Sequence, residues 1–200
     1  MFEIICVTNR RLCRGSFEDR LRAIAKAGAD RIILREKDIS REGYLRLAKT
    51  AAEICKGTGT RLMLNTHYDL VKIAGADGVQ LPMNVLRALR DRRDTPILGA
   101  SCHLPQEAEE AQSLGADCII AGHIFDTDCK KGLPGRGLDF LREVCRRVTV
   151  PVFAIGGINE ENIDEIKKAG ASGACVMSSL MECEGPEELI FRLRGGRDEV

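Results

Sequence analysis

The stretch AGADRIIL, residues 27–34, decides the fold, because the same pattern returns three more times in the 200-residue chain. The other copies are AGADGVQL at 74–81, LGADCIIA at 114–121 and AGASGACVM at 169–177. In each copy a glycine suits the left-handed turn that ends a helix, and the apolar run after it is short enough for a buried parallel strand. Each copy therefore predicts a helix end followed directly by a strand.

The spacing of the copies predicts eight strand–helix units. The copies begin at residues 27, 74, 114 and 169, so they lie 47, 40 and 55 residues apart. Since one unit of a compact barrel takes about 25 to 30 residues, each interval covers two units and the copies are the even strands. The odd strands then fall at 2–8, 61–65, 96–100 and 151–155, and helical patterns fill 17–27, 41–56, 106–114, 138–147, 160–169 and 186–193.

This alternation predicts an α/β chain that forms a single-domain (β/α)8 TIM barrel over residues 1–200, with a short disordered tail near 195–200. A doubly wound open sheet is the alternative, because alternation alone does not prove that the sheet closes.

The composition favours a small-molecule partner. Thirty basic and thirty acidic side chains cancel and aromatic residues make up 4%, so we expect no nucleic-acid or membrane surface. No apolar stretch approaches the roughly 18 residues of a membrane span, and residues 1–8 lack a basic leader, so we expect a cytoplasmic protein. Nine cysteines without CxxC spacing predict reduced structural thiols. The oligomeric state stays open, and exposed barrel helices would permit a homodimer.

Polar residues follow the predicted strands, where the mouth of a barrel carries its site. His123 follows the sixth strand and suits proton transfer at neutral pH, with a structural histidine as the alternative. The loop after it is glycine-rich and polar and carries two lysines and Arg136, like a lid over an anion. Gly156 and Gly157 after strand seven, with Ser178 and Ser179 after strand eight, predict a phosphate site, unless they only form a turn and a helix cap.

Several motifs resemble the thiamine phosphate synthase family over nearly the whole chain. They are LREK at 34–37, GADGVQLP at 75–82, GADCIIAGHIFDTDCKKGLPGRG at 115–137 and PVFAIGGINEENIDEIKKAGASGACVMSS at 151–179. The family resemblance implies a (β/α)8 barrel from one of two branches. The synthase joins a pyrimidine diphosphate to a thiazole phosphate, and the TenI-like tautomerase aromatises a thiazole precursor.

The resemblance favours the tautomerase branch. In synthases Mg2+ is held by aspartates after strands three and four, whereas here Thr66 follows Asn65 and PMNV occupies 82–85. Carboxylates are what this hard cation prefers. The run GHIFDTDCKKG at 122–132 is similar to the tautomerase loop, in which the histidine is catalytic. We therefore expect a thiazole tautomerase, an isomerase without metal or cofactor.

Two alternatives remain from the sequence. One is a thiamine phosphate synthase, the only case in which Mg2+ would be required, and the other is a non-catalytic regulator that binds a phosphorylated ligand.

The resemblance also implies roles at the mouth. His123 would move both protons of a small phosphorylated thiazole substrate, and Gly157 and Ser178 would hold its phosphate. Arg35 and Lys37 resemble diphosphate-binding residues, although they equally suit the substrate carboxylate or a structural partner. The further substrate-binding candidates are Asn65, Ser101, Thr127 and Lys130. The roles of Cys129, His67 and His103 stay open.

Overall fold

The barrel closes as predicted. A computed structural model describes residues 2–92, 94–127, 130 and 132–196. Its parallel strands follow chain order around the barrel: β1 (Glu3–Val7), β2 (Arg31–Leu34), β3 (Arg61–Asn65), β4 (Gly78–Pro82), β5 (Ile97–Cys102), β6 (Cys118–Gly122), β7 (Val152–Ile155) and β8 (Gly173–Val176). Because β8 pairs with β1, the open-sheet alternative is excluded. Within the predicted tail, residues 197–200 lie outside the described residues.

The helices lie close to their predicted positions. The described residues contain α1 (Phe17–Lys26), α2 (Arg41–Cys55), α3 (Val71–Ala74), α4 (Met83–Ala88), α5 (Pro105–Ser113), α6 (Gly137–Arg147), α7 (Ile163–Lys168), α8 (Ser178–Glu182) and α9 (Pro186–Arg194). The prediction for 160–169 began too early, because Asn159 Oδ1 accepts the N–H groups of Glu161 and Asn162 in a side-chain turn before α7. The short α3, α4 and α8 were missed, since they span four to six residues and show no helical period.

The repeated segments have a common physical role at the base of the barrel. Their glycines adopt left-handed backbone angles, as predicted. Three aspartates of the repeat accept a hydrogen bond from the second N–H of the preceding strand: Asp30 from Ile4 at 2.7 Å, Asp77 from Leu62 at 2.7 Å and Asp117 from Leu98 at 2.8 Å. In return, the backbone N–H of each aspartate donates to the carbonyl oxygen of that same strand residue, Ile4, Leu62 or Leu98. Each aspartate therefore clamps an even strand to the odd strand before it.

A buried arginine and its partners fill the base of the barrel interior. The Arg31 side chain is buried, lies 4.8 Å from the centroid of the Phe153 ring and pairs with Glu3 at 2.7 Å. Above it lies an inner apolar core that includes Ile33, Met63 and Ile120. Since alternate strand residues face the same side, Arg35 and Asn65 continue the inner faces of β2 and β3 to the mouth.

Two further sequence expectations can be compared with the described residues. Their cysteines, which exclude Cys129, are all free thiols. None of their helices combines the length and the apolar character of a membrane span.

The clamp predicts a measurable contribution to stability. Asp77→Ala removes the acceptor of the Leu62 N–H, so the free energy of unfolding should fall by about 1–3 kcal/mol. Asp77→Asn keeps an oxygen acceptor and should recover most of the loss. As a matched control, Asp139→Ala removes only an exposed pair with Arg142 and should change stability by less than about 0.5 kcal/mol. Urea unfolding measures all three, and equal stability of Asp77→Ala and Asp139→Ala would contradict the clamp.

Candidate functional site

A buried carboxylate organises the mouth between β1 and β2. Glu36 accepts the Thr8 hydroxyl at 2.7 Å and the Arg10 backbone N–H at 3.1 Å. The Thr8 hydroxyl oxygen in turn accepts the Arg35 N–H at 2.9 Å. These bonds fix the backbone from which the half-buried Arg35 projects, whereas Lys37 is exposed. The role of Glu36 could not be predicted from the motif LREK, because its partner Thr8 lies 28 residues away in the sequence.

A tyrosine from α2 ties the ends of β2 and β3 together. The Tyr44 hydroxyl donates to the Leu34 carbonyl at 2.6 Å and accepts the Asn65 N–H at 3.0 Å. Burial raises the pKa of Tyr44, so the hydroxyl remains a donor at neutral pH. The His67 ring stacks on Tyr44 with 4.3 Å between centroids, and its own pKa is lowered, mainly by burial. His67 therefore packs at the rim of the mouth in its neutral form.

Thr66, directly after β3, has a backbone angle φ of +73°. This left-handed conformation is unfavourable for a β-branched side chain, whereas Asn and Asp tolerate it. The Thr66 hydroxyl oxygen accepts Asn65 Nδ2 at 2.9 Å, which places both polar groups together at the mouth. The loop thus has a backbone suited to the aspartate that the family resemblance implies at this position, although the carboxylate is absent.

The left-handed angle predicts that Thr66→Asn raises the free energy of unfolding by about 1 kcal/mol, because strain of this kind costs roughly 1–3 kcal/mol. Thr50→Asn on α2 is the control, since Thr50 lies in a regular helix and should change stability by less than about 0.5 kcal/mol. Chemical denaturation compares both variants with the unmodified chain. A Thr66→Asn variant no more stable than Thr50→Asn would show that the backbone angle carries no strain.

A buried amide lies beneath the mouth between β4 and β5. Gln80 is 3% exposed and its Nε2 donates to the Ser101 hydroxyl at 2.9 Å. A Cβ at Gly99 would lie 2.0 Å from Gln80 Oε1, so the glycine makes the space for this amide. Ser101 was a predicted site residue and Gln80 was not. The signal for Gln80 was its polar side chain in an otherwise apolar strand.

His123 lies at the end of β6 and is 5% exposed. Its Nε2 is 3.1 Å from the Leu133 carbonyl oxygen, which can only accept, so Nε2 carries the proton. The Nδ1 atom is buried and has no hydrogen-bond partner within the described part of the chain. His123 therefore connects the barrel wall to residues 132–136 of the lid. His103, which is exposed, contacts the same strand end through Nδ1 and the Gly122 carbonyl at 2.7 Å.

The paired glycines after β7 make room for the loop after β6. A Cβ at Gly156 would lie 2.3 Å from the Cβ of His123, and one at Gly157 would lie 2.5 Å from the Asp126 carbonyl oxygen. The glycines thus have a packing role that does not depend on a ligand. Their predicted role in binding phosphate stays a prediction.

This packing predicts that Gly156→Ala is far more damaging than a glycine substitution in open space. Gly59 also has a positive φ, +82°, but nothing lies within 4 Å of its would-be Cβ. Gly59→Ala should cost about 1–2 kcal/mol from its backbone angle alone. Gly156→Ala adds a steric overlap of roughly 1–3 kcal/mol. Equal melting temperatures for the two variants would contradict the close contact with His123.

Three cations follow strand ends at the mouth, one after β2 and two in the loop after β6, which is the strand opposite β2 in the barrel. Lys130 is half-buried, and its pKa is lowered by burial and by the nearby charges of Arg136 and Arg35. None of these three cations forms an ion pair with a carboxylate of the described residues. Two more predicted residues belong to this loop: the Thr127 carbonyl accepts the Lys130 N–H at 3.0 Å, and Cys129 lies outside the described residues.

The predicted phosphate residues divide between two sides of α8. Ile155 in β7 pairs with Cys175 in β8, so Gly157 and Ser178 follow adjacent strand ends. Ser179, by contrast, lines a cavity of about 500 Å³ behind α8, with Ile158, Leu189 and Leu193 on its walls. A larger cavity of about 870 Å³ lies along α6 and is lined by Phe140, Arg146 and Gly170, none of which is a predicted site residue. Cavity size therefore does not locate the site, and we place it by the polar groups that converge at the mouth.

The mouth does not fit a hard divalent cation. The residue after Asn65 is a threonine, and after β4 the chain enters α4 with Met83 buried and Asn84 exposed. Across the described ranges, no group of three His, Cys, Asp or Glu side chains could hold a metal ion. The donor set at the positions that the resemblance assigns to Mg2+ thus lacks carboxylates.

Comparisons with known proteins agree over almost the whole chain. A family model described as thiamine monophosphate synthase matches residues 4–180. A thiamine-phosphate synthase from Syntrophomonas wolfei is 34% identical, over 96% of this chain and 95% of that protein. One from Methanocella arvoryzae is 38% identical, over 92% of this chain and 89% of that protein. The solved structure of thiamine phosphate pyrophosphorylase from Pyrococcus furiosus has a TM-score of 0.83 at 30% identity, covering 96% of this chain and 94% of its own.

These relatives correct the predicted reaction. They are synthases, so the expectation of a thiazole tautomerase, and with it the assignment to the isomerases, is wrong. The synthase alternative, a transferase, is the better supported one. That expectation rested on the loop at 122–132 and on the missing aspartates after β3 and β4, and the similarity of the whole chain to synthases outweighs both. The part of His123 in moving the two protons of a thiazole precursor falls with the tautomerase reaction, whereas its general suitability for proton transfer stays a prediction.

Proposed function

Because this chain belongs to the thiamine monophosphate synthase family, we propose that it is a transferase that joins a pyrimidine carried on a diphosphate to a thiazole phosphate. The products would be thiamine phosphate and pyrophosphate. The observation that carries this proposal is the identity of 34% to 38% with synthases along more than nine-tenths of the chain.

The charge distribution at the mouth supports two anionic substrates. Arg35 and Lys130 would bind the diphosphate, since guanidinium and ammonium groups form strong charge-assisted hydrogen bonds with phosphate oxygens. The thiazole phosphate would bind at the strand ends that carry Gly157 and Ser178. The reacting rings would then meet over the Gln80–Ser101 pair, whose 2.9 Å hydrogen bond offers a polar floor. Holding both rings in one orientation is itself a large part of catalysis.

His123 has a positioning role in this proposal. Its hydrogen bond to the Leu133 carbonyl at 3.1 Å links the lid to β6, and the Arg136 N–H donates to the His123 carbonyl at 2.9 Å. Both bonds hold the part of the lid that carries positive charge. His123 would therefore act through Arg136 rather than on the substrate.

A coupling assay tests the proposed reaction. The purified chain is incubated with pyrimidine diphosphate, thiazole phosphate or both, and thiamine phosphate and pyrophosphate are quantified by mass spectrometry and an enzymatic pyrophosphate assay. We expect equal amounts of the two products, and only when both substrates are present. Binding of either phosphate without any product would favour the non-catalytic regulator and refute the transferase.

A substitution at the mouth should separate the loss of a contact with the substrate from the mere loss of one positive charge. Arg35→Gln should lower kcat/KM by about 10- to 100-fold, since a hydrogen bond to a charged group is worth roughly 1.5–3 kcal/mol. Arg142→Gln removes the same charge from α6, where Arg142 pairs only with exposed Asp139 among the described carboxylates, and should leave kcat/KM unchanged. Equal losses in both variants would mean that Arg35 has no specific role.

A further inference from the structure

We propose that this chain binds the diphosphate of its substrate, and the pyrophosphate product, through side-chain cations of the mouth without a divalent metal ion. The inference rests on the proposed function, because it concerns the leaving group of that reaction. It begins from the disagreement between the family resemblance, which implies Mg2+, and the residues that this chain offers.

The carboxylates near the mouth are already engaged. Glu36 accepts bonds from Thr8 and Arg10, and its side chain is 2% exposed. Asp126 Oδ1 accepts the Gly135 N–H at 2.7 Å within the lid. Mg2+ is usually held through one or two carboxylates in near-ideal octahedral geometry, and breaking either set of bonds would disorganise the loops that form the mouth. The described residues therefore leave no carboxylate pair for this ion.

Three cations lie where a diphosphate needs neutralisation. Arg35 comes from the inner face of β2, and Lys130 and Arg136 come from the lid after β6. Burial lowers the pKa of Lys130, and the positive charges of Arg136 and Arg35 lower it further. A bound polyanion would relieve the repulsion between these like charges. Three positive charges also match the roughly three negative charges of a substrate diphosphate ester, which a single Mg2+ would only partly neutralise.

Contacts within the fold fix the Arg136 guanidinium and the Arg35 backbone without a ligand. The Arg136 N–H donates to the His123 carbonyl at 2.9 Å, and its guanidinium lies 5.6 Å from the centroid of the Phe140 ring. The Arg35 backbone is fixed by the Thr8 hydroxyl. Because a guanidinium presents its donors in a rigid fork, an anchored arginine can bind two phosphate oxygens at once.

Calorimetric titration with inorganic pyrophosphate tests the inference on the unmodified chain. One titration contains EDTA and the other contains Mg2+. We expect binding in EDTA to be at least as tight as in Mg2+, because Mg2+ competes for free pyrophosphate and gains no ligands from the protein. Binding that is absent in EDTA and appears with Mg2+ would overturn the inference.

Matched variants test whether the named cations supply the binding. Lys130→Gln and Arg136→Gln should each weaken pyrophosphate binding in EDTA by about tenfold. Arg142→Gln, which lies on the same helix as Phe140 and removes the same charge, should bind like the unmodified chain. Thermal unfolding verifies that the variants are folded, and the titrations of the unmodified chain do not depend on them. Unchanged affinity in both mouth variants would show that pyrophosphate binds elsewhere and would refute the role of these cations.

The coupling assay repeated in EDTA separates this inference from the proposed function. Thiamine phosphate that forms only with Mg2+ would leave the transferase standing and refute the metal-free site. Tight pyrophosphate binding in EDTA without any product would support the metal-free site and refute the transferase.

Discussion

The reciprocal pairing of an aspartate with the preceding strand is the interaction on which this barrel depends. Each clamp satisfies a strand N–H at the base, where the backbone turns out of the sheet, and sets the register of two strands with one side chain. The glycine two residues before each aspartate adopts the left-handed angle that ends the helix. Because helix end, turn and strand start are encoded within five residues, the pattern survives as a visible repeat although the helices between the copies differ in length.

The repeat also explains how far the sequence could predict the site. Strand ends can be counted from the repeat, so Arg35, Asn65, Ser101 and His123 could be assigned to the mouth before any coordinates were known. The roles of Glu36 and Gln80 could not, because their partners Thr8 and Ser101 are 28 and 21 residues away and only the closed barrel brings them together. The reaction was mispredicted for a related reason, since a loop similar to one branch says little about the chemistry of the whole mouth.

Stability and chemistry are separated along the barrel axis. The base is closed by Arg31, Glu3 and Phe153, and no group proposed to bind substrate lies there. At the opposite end, hydrogen bonds connect side chains to the loops: Glu36 holds the β1 loop, Tyr44 holds Asn65, and His123 holds the lid. Burial and the charges of Arg136 and Arg35 lower the pKa of Lys130 at this end, whereas the aspartate clamps and the apolar core fix the strands below it.

The fourth copy of the repeat has a serine, Ser172, where the others have aspartate, and it pairs with Val152 by a backbone bond of 2.7 Å. The β7–β8 seam is therefore the one odd–even strand pair of the barrel without the aspartate clamp. Local opening of a fold starts where such bonds are fewest. The loops predicted to bind phosphate span this seam at its upper end. A ligand held by both loops would connect the two strands. Substrate occupancy would therefore protect the backbone amides of these two strands from hydrogen exchange with solvent.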